Sequence, residues 1–131
     1  MKLAAVLAVL LAASVAEACQ PPVPFTPRHR LEAPGVVVAF STLPPKIVVG
    51  RHFSVEAYLC ADEGSVSLTR VDATMPEHRH GMNYRTRLSV KQAGQYLAEG
   101  FLFHMPGTWQ FVFDVEHHGK RLRLTSDVLI E

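Results

Sequence analysis

Apolar and polar residues alternate along most of this chain with the two-residue period of a half-buried β-strand. The cleanest run sets Trp109, Phe111, Phe113 and Val115 against Gln110, Val112, Asp114 and Glu116. Phe53, Val55, Ala57 and Leu59 alternate with Ser54, Glu56 and Tyr58, and Tyr84, Thr86, Leu88 and Val90 alternate with Arg85, Arg87, Ser89 and Lys91. Further strand-like runs cover Val36 to Phe40, Ile47 to Val49, Tyr96 to Phe103 and Lys120 to Ile130. From Val66 to Met75 the apolar phase changes, which predicts a bulge or a strand buried on both faces. Gln92-Ala93-Gly94 and His117-His118-Gly119 read as turns, Pro44-Pro45 excludes a helix there, and no stretch after residue 18 shows a helical period. Seven or so short strands between turn signals predict an all-β fold, an immunoglobulin-like antiparallel β-sandwich over residues 35–131, with Trp109 as its large core residue.

The ends of the chain add a compartment. Lys2, an apolar run from Leu3 to Ala13 and then Ala16-Glu17-Ala18 describe a secretory signal peptide over residues 1–18. The run is shorter than the roughly 20 residues of a membrane span, so cleavage would leave no transmembrane anchor. Residues 19–34 are proline-rich and read as an extended N-terminal arm. The formal net charge of +1 gives no signature of a nucleic-acid partner. Cys19 and Cys60, in a chain bound for an oxidising periplasm, are expected to pair as a disulfide that pins the arm to the body. The competing fate of Cys19 is lipidation, against which Glu17 stands, since small residues are usual before a lipidated cysteine.

The β-pattern breaks at Met75-Pro76-Glu77-His78-Arg79-His80-Gly81-Met82-Asn83-Tyr84, and a shorter break, His104-Met105-Pro106-Gly107, repeats its chemistry. If successive strands alternate in direction, the loops at 76–83 and 104–107 fall at one end of the sandwich, joined there by the 41–50 connection. The turns at 61–65, 92–94 and 117–119 fall at the other. Met75, His78, His80, Met82, His104 and Met105 thereby become one candidate metal site. Soft neutral thioethers favour Cu(I), and imidazole suits either oxidation state of copper, so this donor set points to copper rather than zinc. Imidazole must be neutral to ligate, so affinity should fall as pH drops through the ordinary imidazole range. Bland readings stand beside this one. Met75 and Met105 continue apolar strand faces and read equally as core, and His78 and His80 read as solvated loop residues. His29, His52, His117 and His118 read as surface histidines, with His52 nearest the site. No GxSxG elbow, HExxH pair or phosphate-cradling glycine loop is present, which speaks against an enzyme.

With these residues in view, the chain resembles the YtkA-like family of small exported domains. The resemblance rests on Met75-Pro76-x-His78-x-His80-Gly81-Met82, Tyr96-x-x-x-Gly100, Met105-Pro106-Gly107-x-Trp109 and the final apolar strands. Family relatives include FixH-like proteins that accompany assembly of copper-containing oxidases, and modules of heavy-metal efflux components. The resemblance implies an immunoglobulin-like fold and a link to periplasmic metal. Two functions are therefore carried forward. One is capture of copper and its transfer to a partner protein in the periplasm. The other is a non-metal sandwich whose Met/His end docks on a membrane oxidase-assembly or efflux protein.

Overall fold

A computed structural model describes residues 19–131; the expected leader at 1–18 lies outside the described residues. Nine strands form two antiparallel sheets. They are β1 (His29–Ala33), β2 (Val36–Leu43), β3 (His52–Ala61), β4 (Val66–Met75), β5 (His80–Gly81), β6 (Arg87–Gln92), β7 (Gln95–Leu102), β8 (Gly107–His117) and β9 (Lys120–Ile130). One sheet runs β1-β2-β3-β7-β6 and the other β5-β4-β8-β9. The expected all-β sandwich is present, and its alternating apolar residues meet between the sheets. Phe40, Phe53, Phe101, Phe103, Trp109, Phe111 and Phe113 form an aromatic centre flanked by Val36, Val38, Val55, Val71 and Val115.

The phase change in β4 is a bulge: its pairing with β8 shifts register between Leu68 and Arg70. Two strands exceed the seven or so expected. β1 occupies the last residues of the presumed extended arm and hydrogen-bonds along β2 from His29↔Phe40 to Ala33↔Val36. β5 is a two-residue strand inside the Met/His loop. Ile47-Val48-Val49, read as strand-like, is instead part of the β2–β3 connection; Ile47 and Val49 pack half-buried against the core while Val48 faces out. The strand read from Tyr84 begins only at Arg87, and Tyr84 is an exposed loop residue.

Cys19 and Cys60 form the disulfide, with Cα atoms 6.1 Å apart. Cys60 alternates with the core residue Leu59 and lies opposite Val37, so the bridge draws the arm over the outer face of the first sheet. Val37 and Ala39 on that face are accordingly buried, although neither belongs to the inter-sheet core. A disulfide is compatible with a periplasmic or extracellular protein. No helix among the described residues is long and apolar enough to cross a membrane.

On the outer face of the second sheet, Asp114 is buried and accepts a two-pronged contact from Arg123, Nε at 2.7 Å and a second guanidinium nitrogen at 2.9 Å. Arg123, then burial in the opposing sense, then the nearby charges of Arg123, Arg70 and Arg121 act on its carboxyl, and the outcome is a pKa below the ordinary aspartate value. A carboxyl depressed on folding contributes stability that is full above its unfolded pKa and is lost as pH falls through the folded one. Asp114→Asn is therefore expected to lower stability by about 1–2 kcal/mol at neutral pH, allowing for the half-exposed guanidinium. The gap between variant and parent should narrow as pH falls below about 4, the unfolded aspartate value, and close only beneath the lower folded one. Urea unfolding at pH 7 and pH 3 checks this; a gap that stays constant with pH would show that the carboxylate charge contributes nothing.

Candidate metal centre

The strand directions place the β4–β6 loop and the β7–β8 loop at the same end of the sandwich. β4 ends at Met75, and a 3-10 turn over Pro76–His78 follows. Arg79 then adopts a left-handed conformation (φ 55°) and donates its backbone N–H to the Pro76 carbonyl at 3.2 Å. This tight reversal sends the chain back along β4, so that Gly81 pairs with Thr74 and His80 with Met75. Residues directly opposite in an antiparallel pair project to the same face. Met75 is fully buried in the core, so His80 stands beside it on the inward side at the rim.

The second loop is fastened from the other direction. Phe103 is fully buried and stacks on Trp109, with centroids 4.3 Å apart and planes 7° from parallel. The Trp109 indole N–H donates to the Met105 carbonyl at 3.0 Å, which closes the turn that carries His104. Gly107 has φ 130°, and a Cβ there would lie 2.7 Å from the Met75 methyl. Only glycine combines that backbone with that approach, so Met75 of one loop rests on the turn of the other.

The two loops bring four rings together. His80 and His104 are 5.2 Å apart between centroids, and Trp109 lies 6.0 Å from His80 and 5.4 Å from His104. His78 follows at 5.7 Å from His80 but is exposed. The His80 Nδ1 sits 3.0 Å from the Gly81 carbonyl oxygen. A carbonyl only accepts, so Nδ1 carries the proton and Nε2 keeps its lone pair. Ligating histidines commonly have their second nitrogen engaged in this way. His104 Nδ1 is buried and has no hydrogen-bond partner. Leaving a buried polar atom unpaired costs about 1–3 kcal/mol, so an orphan of this kind calls for a physical reason.

Among the six residues expected at the site, His80, His104 and Met75 are thus neighbours, and His78 stands at the outer edge. Met105 is half-buried against the core and supplies the carbonyl that holds Trp109. Met82 also packs on the core, but it lines a groove of about 590 Å³ with Thr74, Gly81, Tyr84 and Arg85. Among the described residues no three of His, Cys, Asp or Glu converge as a set that could hold a metal. Two imidazoles, those of His80 and His104, are brought together here, with the Met75 side chain buried beside them. Trp109 had been expected only as core; its place two residues after Pro106-Gly107, at the loop end of β8, is the signal that it also walls the site.

The remaining histidines lie elsewhere. His52 is exposed, meets Tyr84 edge to face at 5.1 Å and places Nδ1 3.2 Å from the Phe101 carbonyl. His29 stacks on Phe40. His117 and His118 sit at the opposite end, but His117, expected on the surface, is buried, with Nε2 2.9 Å from the Glu63 carbonyl oxygen. It occupies the next inward position after Trp109, Phe111, Phe113 and Val115, so the same alternation that fills the core turns it in. No family model, curated protein or solved structure matches this chain, and the functional reading rests on the residues themselves.

Proposed function

We propose that this chain is a periplasmic copper-binding β-sandwich of YtkA-like kind, which captures the ion through His80, His104 and nearby thioethers and passes it on by ligand exchange. The observation that carries this reading is the pair of imidazole nitrogens: His104 Nδ1, buried and unpartnered, and His80 Nε2, left free by the bond from Nδ1 to Gly81. Met75 and Met105 lie in the same two loops and add soft neutral donors, which favour copper over zinc. With no thiolate available, binding is moderate and exchangeable, which suits transfer to a partner better than storage. Ligand exchange of this sort makes and breaks only coordination bonds, and the chain is not an enzyme on this reading.

The test is a titration of the purified protein with Cu(I) and Cu(II) against a chelating competitor. The His80→Ala, His104→Ala double variant is expected to bind more than about 100-fold more weakly, since thioethers alone remain. Met82→Leu is expected to change affinity far less, because Met82 lines the neighbouring groove. Equal binding by parent and double variant would remove the site.

One observation favours the second reading, a partner-docking module. The same end exposes Leu43, Val48 and Tyr84 together with Lys46, Arg51, Arg79 and Arg85. A mixed apolar and basic rim of this kind fits a protein surface. Failure of the parent protein to bind either copper ion would leave docking as the function of this end.

A further inference from the structure

We infer that the site is built for a soft monovalent cation, Cu(I), and that Trp109 is its third neighbour through a cation–π contact beside His80 and His104. This rests on the copper reading and sharpens it. The three ring centroids form a nearly equilateral triangle with sides of 5.2, 5.4 and 6.0 Å. The point equidistant from them is about 3.2 Å from each. An ion bound in the plane of an imidazole at about 2.0–2.1 Å from nitrogen also stands roughly 3.2 Å from that ring's centroid. One position therefore lies at ligand distance from both histidine rings, and within the roughly 6 Å over which an aromatic face attracts a cation.

Charge selects the oxidation state. A carboxylate or thiolate joining His80 and His104 would complete a three-residue ligand group, and the described residues contain none. Nothing in the cluster offsets a second positive charge. Phe103, Trp109 and Met75, all fully buried, make the floor of the site apolar. Desolvation cost grows with the square of the charge, so a divalent ion meets about four times the penalty of a monovalent one in such surroundings. Cu(II) prefers tetragonal nitrogen and oxygen donors and zinc a closed tetrahedral set, whereas Cu(I) accepts two imidazoles with thioether and π neighbours. The indole is held in place by Phe103 on one face and by Met105 at its N–H.

The experiment is an anaerobic titration with Cu(I), with redox-inert Ag(I), and with Zn(II). Competition against a chelator reports affinity, while the near-ultraviolet absorption and emission of the chain's single tryptophan report where the ion sits. Cu(I) and Ag(I) are expected to quench Trp109 and shift its absorption to the red with one-to-one stoichiometry, and Zn(II) to bind at least about 100-fold more weakly. Trp109→Phe keeps a ring with a weaker π face, so it is expected to weaken Cu(I) by a few-fold, within the roughly 2- to 30-fold that the whole contact is worth. Cu(I) binding with an unchanged indole spectrum would overturn the inference and leave the copper reading standing, whereas Zn(II) binding as tight as Cu(I) would overturn the inference and take away the donor-set argument for copper. Absence of Cu(I) binding to the parent protein would overturn the inference, and absence of Cu(II) binding as well would remove the copper reading with it. If Trp109→Phe fails to fold, as judged by circular dichroism, the parent spectrum decides alone.

Discussion

Trp109→Ala is expected to lower folding stability by about 3–5 kcal/mol, the range for emptying a large aromatic from a packed core. Trp109 is fully buried, stacked on Phe103 and within ring contact of His80 and His104. Truncation would remove the indole from the layer where the two sheets meet and strip the Met105 carbonyl of its donor. That carbonyl belongs to a half-buried residue that water can reach, so the lost hydrogen bond adds about 1 kcal/mol at most. Against a domain stability of about 5–15 kcal/mol, the sum leaves a marginal fold. Urea unfolding at an unchanged m-value is the measurement. A loss below about 1 kcal/mol would mean that the two loops are held together by something other than this ring. Trp109→Phe keeps most of the stacking area and should retain most of the stability, which is why it serves for probing the site and Trp109→Ala does not.

The second large effect lies at the opposite end of the molecule. Replacing Cys19 and Cys60 together by serine is expected to lower stability by about 3–4 kcal/mol, because the bridge closes a loop with a sequence separation of 41. The loss should appear as a lower urea midpoint, accompanied by faster hydrogen exchange along β1 and the arm, whose hold on β2 then depends on their hydrogen bonds. Copper affinity should be unchanged, since Cys60 ends its strand at the end remote from His80 and His104. A variant that loses copper affinity as well as stability would show that the arm supports the loops through the sandwich.

The alternation of apolar residues made the sandwich legible, because a strand with one buried face writes its orientation into every second position. Counting strand reversals was enough to bring the two Met/His loops to one end, and the His80–His104 contact follows from that count. What escaped has identifiable causes. β1 carries His29-Arg30-Leu31-Glu32-Ala33, too polar to read as a strand on its own, and it forms because the edge of β2 offers hydrogen-bonding partners. β5 is two residues long and depends on the left-handed Arg79, a residue type that gives no turn signal. Ile47-Val48-Val49 looks like a strand, yet Pro44-Pro45 before it and Gly50 after it leave it to seal the end of the core. Composition could nominate six metal ligands, but only side-chain direction separates His80 and His104 from His78, which faces solvent, and Met82, which borders a groove. His117 was legible in principle, since it keeps the inward phase of β8.

The brevity of β5 has a kinetic consequence. His80 is tied to the body by two residue pairings at the end of β4, whereas His104 is braced by a buried indole and a stacked phenylalanine. Local opening free energies follow such anchoring, so the His80 side is expected to open more often than the His104 side, which hydrogen exchange at the two loops would measure. In the proposed hand-over the two halves then have different jobs. One is a stationary post that keeps hold of the ion, and the other is a latch that an incoming partner ligand can replace without unfolding the domain.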